Sequence, residues 1–138
     1  MSFTNMSNIK VNNEKSMIIL FNLNNKETTS IKNICRVIGV KEIVLLSSEN
    51  ANTKVVDILD NNMLSDNDDD IKEKVILFNN ISPKSMNFIL DTLRKIKAQN
   101  IYKATITPTS INWDIKTIIQ NLLEEKIALK SNKFKTHK

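Results

Sequence analysis

The chain has few of the residues on which many familiar sites depend. Its 138 residues include one Gly, two Pro, one Cys and one His. Phosphate-binding loops need several glycines, so no Walker-type or dinucleotide-binding loop is present. One Cys excludes an internal disulfide framework. The only His, His137, lies in a basic tail away from the predicted strands, so we expect no His-based catalysis.

Long hydrophobic runs are also missing, and aromatic residues make up only 5% of the chain. No apolar run approaches the roughly 20 residues that a membrane-spanning helix needs. Residues 1–15 are polar and contain no signal-peptide core, and we expect them to be disordered. These features predict a soluble, cytoplasmic protein with an aliphatic core.

Two stretches of the chain resemble each other. The run Met-Ile-Ile-Leu-Phe-Asn at 17–22 returns as Lys-Val-Ile-Leu-Phe-Asn at 74–79. A second set of matches is shifted by 60 positions and pairs Asn52, Val55, Ile58, Leu59 and Asn61 with Asn112, Ile115, Ile118, Ile119 and Asn121. We therefore predict an internal duplication, with repeat one at 16–62 and repeat two at 74–129.

Each predicted repeat has the element order βαβα. Short apolar runs indicate buried strands, and stripes such as Ile31, Ile34, Cys35 and Ile38 indicate amphipathic helices. This order predicts an α/β fold with a four-stranded, mainly parallel sheet of order 2-1-3-4 and helices on both faces. We expect a pseudo-twofold axis along the strands. A ferredoxin-like α+β sheet is the alternative, and it needs a strand near Val55.

The remaining segments are polar or charged. Residues 63–73 are acidic and predict a linker that does not order itself, so 16–129 would be a single domain. Residues 130–138 form a predicted basic tail, and the stretch from Lys126 to Lys138, both included, contains five lysines and no acid. Nucleic-acid domains usually add a basic face or stacking aromatics, so we do not expect nucleic-acid binding, although a weak association through the tail stays open.

A ligand site in such a sheet would lie beyond the carboxyl ends of the strands, where the strand order reverses. That position predicts a site between Asn22 from one repeat and Asn79 and Asn80 from the other. Their amides can bind a polar neutral ligand. The alternative is that these asparagines only cap turns and helices.

The most distinctive motif follows the fourth strand and runs from Thr107 to Trp113. Thr107, Thr109, Asn112 and Trp113 are candidate ligand-binding residues, because hydroxyls and a helix N-terminus can hold an anion. Asn112 is also a good N-cap for a helix starting at Trp113. The structural alternative is a turn whose Trp packs the helix onto the sheet.

Metal, cofactor and nucleophile sites are not expected. Asp66, Asp68 and Asp70 have the spacing of a calcium loop, but Ile71 occupies the Gly position and Leu77 the Glu position. Cys35 falls on an apolar helix stripe, where Cys acts as a small hydrophobic residue.

The second repeat resembles a family of small proteins from Gram-positive anaerobes that is known only as a domain of unknown function. The resemblance covers about 74–127 and rests on the strand from Val75 to Asn80, the Thr107–Trp113 motif and the Leu-Leu-Glu-Glu run at 122–125. It implies a bacterial protein and supplies no activity.

Three functions remain open at this level. The first is a binding or protein-interaction module without catalysis, with a homodimer as one form of it. The second is a small-ligand sensor or enzyme that uses the loops after strands one, three and four. The third is weak nucleic-acid association through the lysine tail.

Overall fold

A computed structural model describes residues 15–136, and it describes side-chain environments as far as residue 128. The strands are β1 (Met17–Phe21), β2 (Glu42–Leu46), β3 (Lys74–Asn79) and β4 (Ile101–Thr105). The helices are α1 (Asn25–Ile38), α2 (Val55–Leu59), α3 (Pro83–Lys95) and α4 (Ile115–Thr136). Short 3-10 turns, Ser48–Asn50 and Ser110–Asn112, precede α2 and α4. Except for Lys15, the N-terminal segment predicted to be disordered lies outside the described residues.

The four strands form one open sheet of order β2-β1-β3-β4. The α/β fold, the strand order and the central position of β1 and β3 are confirmed. The pairs β1–β2 and β3–β4 are parallel. The ferredoxin-like alternative is wrong, because the chain is helical from Val55 to Leu59.

The central pair, β1 and β3, is antiparallel, with Met17 opposite Asn79 and Phe21 opposite Val75. The expected axis along the strands is therefore wrong, since it would require these two strands to be parallel. The physical reason lies just before β3. The side-chain amide of Asn22, at the end of β1, donates to the backbone carbonyls of Ile71 (2.7 Å) and Glu73 (3.0 Å). The chain therefore enters β3 beside the carboxyl end of β1, and it must run back.

Helices cover both faces of the sheet, as predicted. Alternate residues of β1 and β3 point to opposite faces, so each face has its own core. Beneath α1 and α3, the buried residues are Ile18, Leu20, Ile31, Cys35, Val40, Ile76, Phe78, Ile81, Ile89 and Leu93. Beneath α2 and α4, they are Met17, Ile19, Phe21, Leu46, Ala51, Val55, Ile58, Leu59, Val75, Leu77, Ile115, Ile118 and Ile119.

Asparagine occupies most of the left-handed backbone positions among the described residues. Gly39 has φ 85° and ends α1, as its position in the sequence predicts. Among the described residues, positive φ also occurs at Asn22, Asn61, Asn80, Asn100 and Lys97. Asn adopts this conformation more readily than other residues with a β-carbon. Part of the Asn content thus has a structural cause that composition alone did not reveal.

The acidic segment between α2 and β3 is held in place, although its composition predicted a linker that does not order itself. The Ser48 hydroxyl donates to the Asp69 carbonyl (2.7 Å) and accepts from the Ile71 amide (2.8 Å). The Leu64 amide donates to the Thr53 hydroxyl at 2.8 Å. Lys116 pairs with Asp69 at 2.8 Å and holds the Asp69 carboxyl pKa below its usual value.

The helix ends agree only partly with prediction. Ser82 caps α3 and Pro83 begins it, as the Ser-Pro pair in the sequence predicts, with the Ser85 amide donating to the Ser82 hydroxyl at 3.1 Å. The predicted start of the fourth helix at Trp113 is wrong, because a 3-10 turn intervenes and Asp114 accepts from the Thr117 amide at 2.7 Å. The helix α4 continues to Thr136, which lies within the predicted basic tail.

Candidate functional site

The outer edge of β4 is open in the described structure. The Ile106 amide donates to the Phe78 carbonyl at 2.9 Å, so the backbone polar groups of Ile106 point toward β3. These groups alternate in direction along a strand. The backbone N–H and C=O groups of Tyr102 and Ala104 therefore face β3, while those of Lys103 and Thr105 point away from it. A strand of another polypeptide can hydrogen-bond to such an edge.

A groove lies between β4 and α4 beside this edge. Its volume is about 370 Å³, which falls within the range of ligand pockets. Apolar side chains form most of its wall, namely Leu77, Ala104, Ile106, Trp113, Ile118 and Leu122. We call this space the Trp113 groove. The small side chain of Ala104, opposite the long helix α4, leaves room for it.

Three polar side chains that line the Trp113 groove are hydrogen-bonded within the chain, namely those of Thr107, Ser110 and Asn121, and Lys103, Thr105 and Glu125 line it as well. The Thr107 amide and hydroxyl contact the Ser110 hydroxyl at 2.9 Å and 3.2 Å, and the Ser110 amide donates to the Thr107 hydroxyl at 3.0 Å. The Asn121 amide donates to the Thr117 carbonyl at 2.9 Å. At the far end, Lys126 lies 5.5 Å from the centre of the Tyr102 ring. The groove therefore selects mainly for apolar shape.

The residues predicted to form one site lie at different places. Because β1 and β3 are antiparallel, Asn22 follows β1 at one end of the sheet and Asn79 ends β3 at the opposite end. The expected cleft between the two asparagine loops is therefore wrong as a geometry. Both side chains hold backbone instead, and the buried Asn79 amide donates to the Lys15 carbonyl at 2.6 Å.

The other predicted residues cluster at the end of β4. Thr107 and Trp113 line the Trp113 groove, whereas Thr109 and Asn112 are exposed next to it in the 3-10 turn. Asn80 has φ 55°, and its carbonyl accepts from the Ser16 hydroxyl at 2.9 Å. The structure thus brings Thr107 and Trp113 together and leaves Asn22 at the opposite end of the sheet. Ligand binding by any of these residues stays a prediction.

Titratable groups in the interior serve packing and capping. Cys35 is fully buried, and burial raises the pKa of its thiol to about 11. Glu27 is 4% exposed, pairs with Lys74 at 3.0 Å and accepts from the Asn24 amide at 2.9 Å. The described residues contain no cluster of three or more His, Cys, Asp or Glu side chains arranged to hold a metal. Over the same part of the chain, no helix has the length and apolarity needed to cross a membrane.

The fold and the groove define an α/β domain with an open-edged sheet and an apolar recess beside one edge. Residues 74–129, which contain β3, α3, β4 and most of α4, match the family model of a domain of unknown function, DUF3783. The resemblance of the second half to such a family is confirmed for these residues. No curated protein and no solved structure gives a significant match to the chain.

Sequence reasoning named two residues of the groove and missed its apolar wall. Ile118 and Leu122 on α4 and Ala104 on β4 form part of that wall. The available signal was the contrast between one small residue in β4 and α4, the longest helix of the described residues, which follows β4 after a 3-10 turn.

Proposed function

We propose that the chain is a protein-interaction module without a catalytic role, in which β4 and the Trp113 groove together hold an extended segment of a partner polypeptide. The observation that carries this proposal is the continuity of the groove with the open edge of β4. Outward backbone groups of Lys103 and Thr105 supply hydrogen bonds, and the groove takes one apolar side chain of the added strand.

A partner segment fits this site better than a small polar metabolite. Polar ligands need convergent polar groups that are free to bind them. Here the hydroxyls of Thr107 and Ser110 contact each other. A second copy of the chain is also a poor occupant, because an antiparallel β4–β4 pair centred on Lys103 would place two lysines directly opposite each other, which is unfavourable.

The test uses model peptides and amide chemical shifts from nuclear magnetic resonance. The probe is an acetylated heptapeptide of alternating Thr and Val with a central Leu, and the control carries N-methyl groups on its bonding edge. We expect the unmodified peptide to shift the amides of Lys103 and Thr105 and the Trp113 indole, and the methylated peptide to shift none of them. Equal shifts with both peptides, or none with either, would refute strand addition.

Two matched variants sharpen the test. Ala104→Met fills the Trp113 groove without removing a contact, and we expect it to abolish the Trp113 shift. Leu45→Met introduces the same side chain on β2 at the opposite edge, without a large change of volume, and should leave peptide binding unchanged. A small-ligand sensor would be favoured instead if small molecules raise the melting temperature of the protein, this effect is lost in Ala104→Met, and neither peptide shifts the amides of β4.

The proposal includes the internal duplication, and two features of the structure support it. Lys54 and Asp114 are 60 positions apart, equal to the repeat shift, and form an antiparallel bridge with each other. The ends of β2 and β4 are also alike. The Ser47 amide donates to the Asn50 side chain (3.0 Å), and the Thr107 amide donates to the Ser110 hydroxyl (2.9 Å). A cytoplasmic location in a bacterium also remains part of this proposal.

A further inference from the structure

The other outer strand, β2, presents a second open edge with different chemistry. The Leu46 carbonyl accepts from the backbone N–H of Asn22 at 3.0 Å and so points toward β1. By alternation, the backbone groups of Ile43 and Leu45 point away from β1. The next amide, that of Ser47, already donates to the Asn50 side chain at 3.0 Å. The open part of the edge is therefore short and ends at Leu46.

The side chains of this edge do not discourage pairing. Natural edge strands are usually protected by an inward or central charge, as Lys103 protects β4 against pairing with a second copy of the chain. From Ile43 to Leu46 the strand is entirely apolar, and the Leu45 side chain is 50% exposed. A fifth strand can therefore join β2 without burying a charge opposite it.

A basic groove runs beside the same edge, between the end of α1 and the start of β2. Its volume is about 470 Å³, and its lining residues are Lys32, Cys35, Arg36, Gly39, Val40, Lys41 and Ile43. We call this space the basic groove. Lys32 and Arg36 are four residues apart and share one face of α1. Lys41 precedes β2 by one residue and completes a group of three cations.

No acidic side chain balances this group locally. The sequence contains no Asp or Glu between Glu27 and Glu42. Ile43 packs on the α1 side of the sheet, so alternation along the strand places Glu42 on the opposite face. Lys32, Arg36 and Lys41 are exposed, and within the described residues none of them forms an ion pair or hydrogen bond through its side chain.

We propose that β2 binds an extended acidic segment of a partner polypeptide, which adds to the sheet as a fifth strand and directs carboxylates into the basic groove. Backbone bonds to Ile43 and Leu45 align the segment. Carboxylates at alternate positions then reach the α1 side, where Arg36 can bind one of them through two parallel hydrogen bonds. Two copies of the chain paired through β2 would bury Leu45 but would leave both basic grooves without an anion, so an acidic partner is the better occupant.

The test measures fluorescence anisotropy of a labelled, acetylated nonapeptide of alternating Glu and Val. We expect saturable binding that weakens with added salt, because exposed charges are screened. Arg36→Glu should weaken binding by roughly tenfold or more, since it places like charges together. Lys95→Glu, an equivalent charge change near the end of α3, should change the affinity less than about twofold, because a distant exposed charge is largely screened.

Two further probes separate strand addition from simple charge attraction. The same peptide with N-methyl groups on one edge, and a Lys-Val peptide of the same length, should both fail to bind. A single-stranded thymidine oligonucleotide of equal charge should bind at least about tenfold more weakly, because it cannot bond to the strand edge. If the methylated peptide or the oligonucleotide binds as well as the probe, the proposal is wrong.

Sedimentation equilibrium addresses the remaining occupant. If the protein dimerises, Leu45→Lys but not Lys103→Glu dissolves the dimer, and an excess of the Glu-Val peptide does not convert the dimer to monomer, then β2 serves a second copy and the acidic-segment proposal is overturned. The site is distinct from the Trp113 groove, so Ala104→Met should not affect Glu-Val binding. Failure of one proposal therefore leaves the other testable.

Discussion

The two halves of the molecule share an order of elements and differ in the segment after the outer strand. After β2, the chain forms the five-residue helix α2 and then an acidic segment held by Ser48 and Thr53. After β4, it forms the 22-residue helix α4, which lies along β4 and leaves the Trp113 groove. The comparison shows that one strand-to-helix plan produces two unlike edges, one apolar with a basic groove and one charged with an apolar groove.

The largest expected difference concerns the starts of α1 and α3. Glu27 is buried, completes a capping box with Asn24 and pairs with Lys74, so it joins α1 to β3. Removing one partner of a buried pair leaves the other uncompensated. We expect Glu27→Ala to lower the free energy of unfolding by about 3 kcal/mol, a value reduced because Lys74 is partly exposed.

The matched change in the second half is Ser82→Ala, which removes only a cap and should cost about 1 kcal/mol. Urea unfolding followed by circular dichroism measures both values. Equal losses in the two variants would contradict a linking role for the Glu27–Lys74 pair.

The second comparison concerns ionisation beneath α1 and α3. Cys35 lies on the buried face of α1 and is the one ionisable side chain among the buried residues of the core between the sheet and the helices α1 and α3. Its thiol pKa is raised from 9.0 to about 11 in the folded protein. Between these values the unfolded chain releases the proton while the folded chain keeps it, so stability falls as the pH rises. The loss at pH 11 should reach about 2 kcal/mol.

The control for this pH effect is Cys35→Ala, which lacks the thiol and therefore lacks its contribution to the pH dependence of the free energy of unfolding. All other titratable groups are common to the two proteins, so the difference between the two pH profiles isolates Cys35. Parallel profiles from pH 8 to 11 would show that the thiol is not protected by burial.

The acidic segment provides the third comparison. Ser48→Ala removes the acceptor of the Ile71 amide and the donor to the Asp69 carbonyl, and should cost about 1–2 kcal/mol. Ser110→Ala, at the repeat-equivalent turn, removes more exposed bonds to Thr107 and should cost about half as much. Limited proteolysis should show faster cleavage within 60–73 in Ser48→Ala only, and equal cleavage would mean that Ser48 does not anchor the segment.

The smallest expected effect concerns two left-handed residues on either side of the α3–β4 turn. Lys97 has φ 58° and Asn100 has φ 62°. Lys97→Gly should raise stability by about 0.5–1 kcal/mol, because Gly adopts this conformation without strain. Asn100→Gly should change it by less than about 0.3 kcal/mol, since Asn already tolerates positive φ. A loss of stability in Lys97→Gly would show that the Lys side chain makes a stabilising contact.

Local patterns were enough to predict much of the fold. The apolar runs at 17–21 and 75–78 correctly indicated central strands, and Gly39, Ser82 and Pro83 correctly marked helix ends. Such features depend on residues near one another in sequence. The start of α4 was misplaced because Asp114, rather than Asn112, caps it after a 3-10 turn.

The candidate site was harder to predict, because it depends on which strand ends meet. Thr107 and Trp113 were recognised from an unusual motif, but the predicted site between Asn22 and Asn79 assumed that β1 and β3 were parallel. The basic groove was also missed. Its signal was the spacing of Lys32, Arg36 and Lys41 in a stretch of the chain without any acid.

The sequence by itself determined the order of elements, the strand order and the face to which each core residue points, because alternation and helical spacing are local properties. Only the tertiary structure decided that β1 and β3 run in opposite directions. That direction depends on where residues 60–73 are anchored, and the anchors are long-range hydrogen bonds from Asn22, Ser48 and Thr53. These bonds place the carboxyl ends of the strands of the two halves at opposite ends of the sheet, and so give each half an edge and a groove of its own.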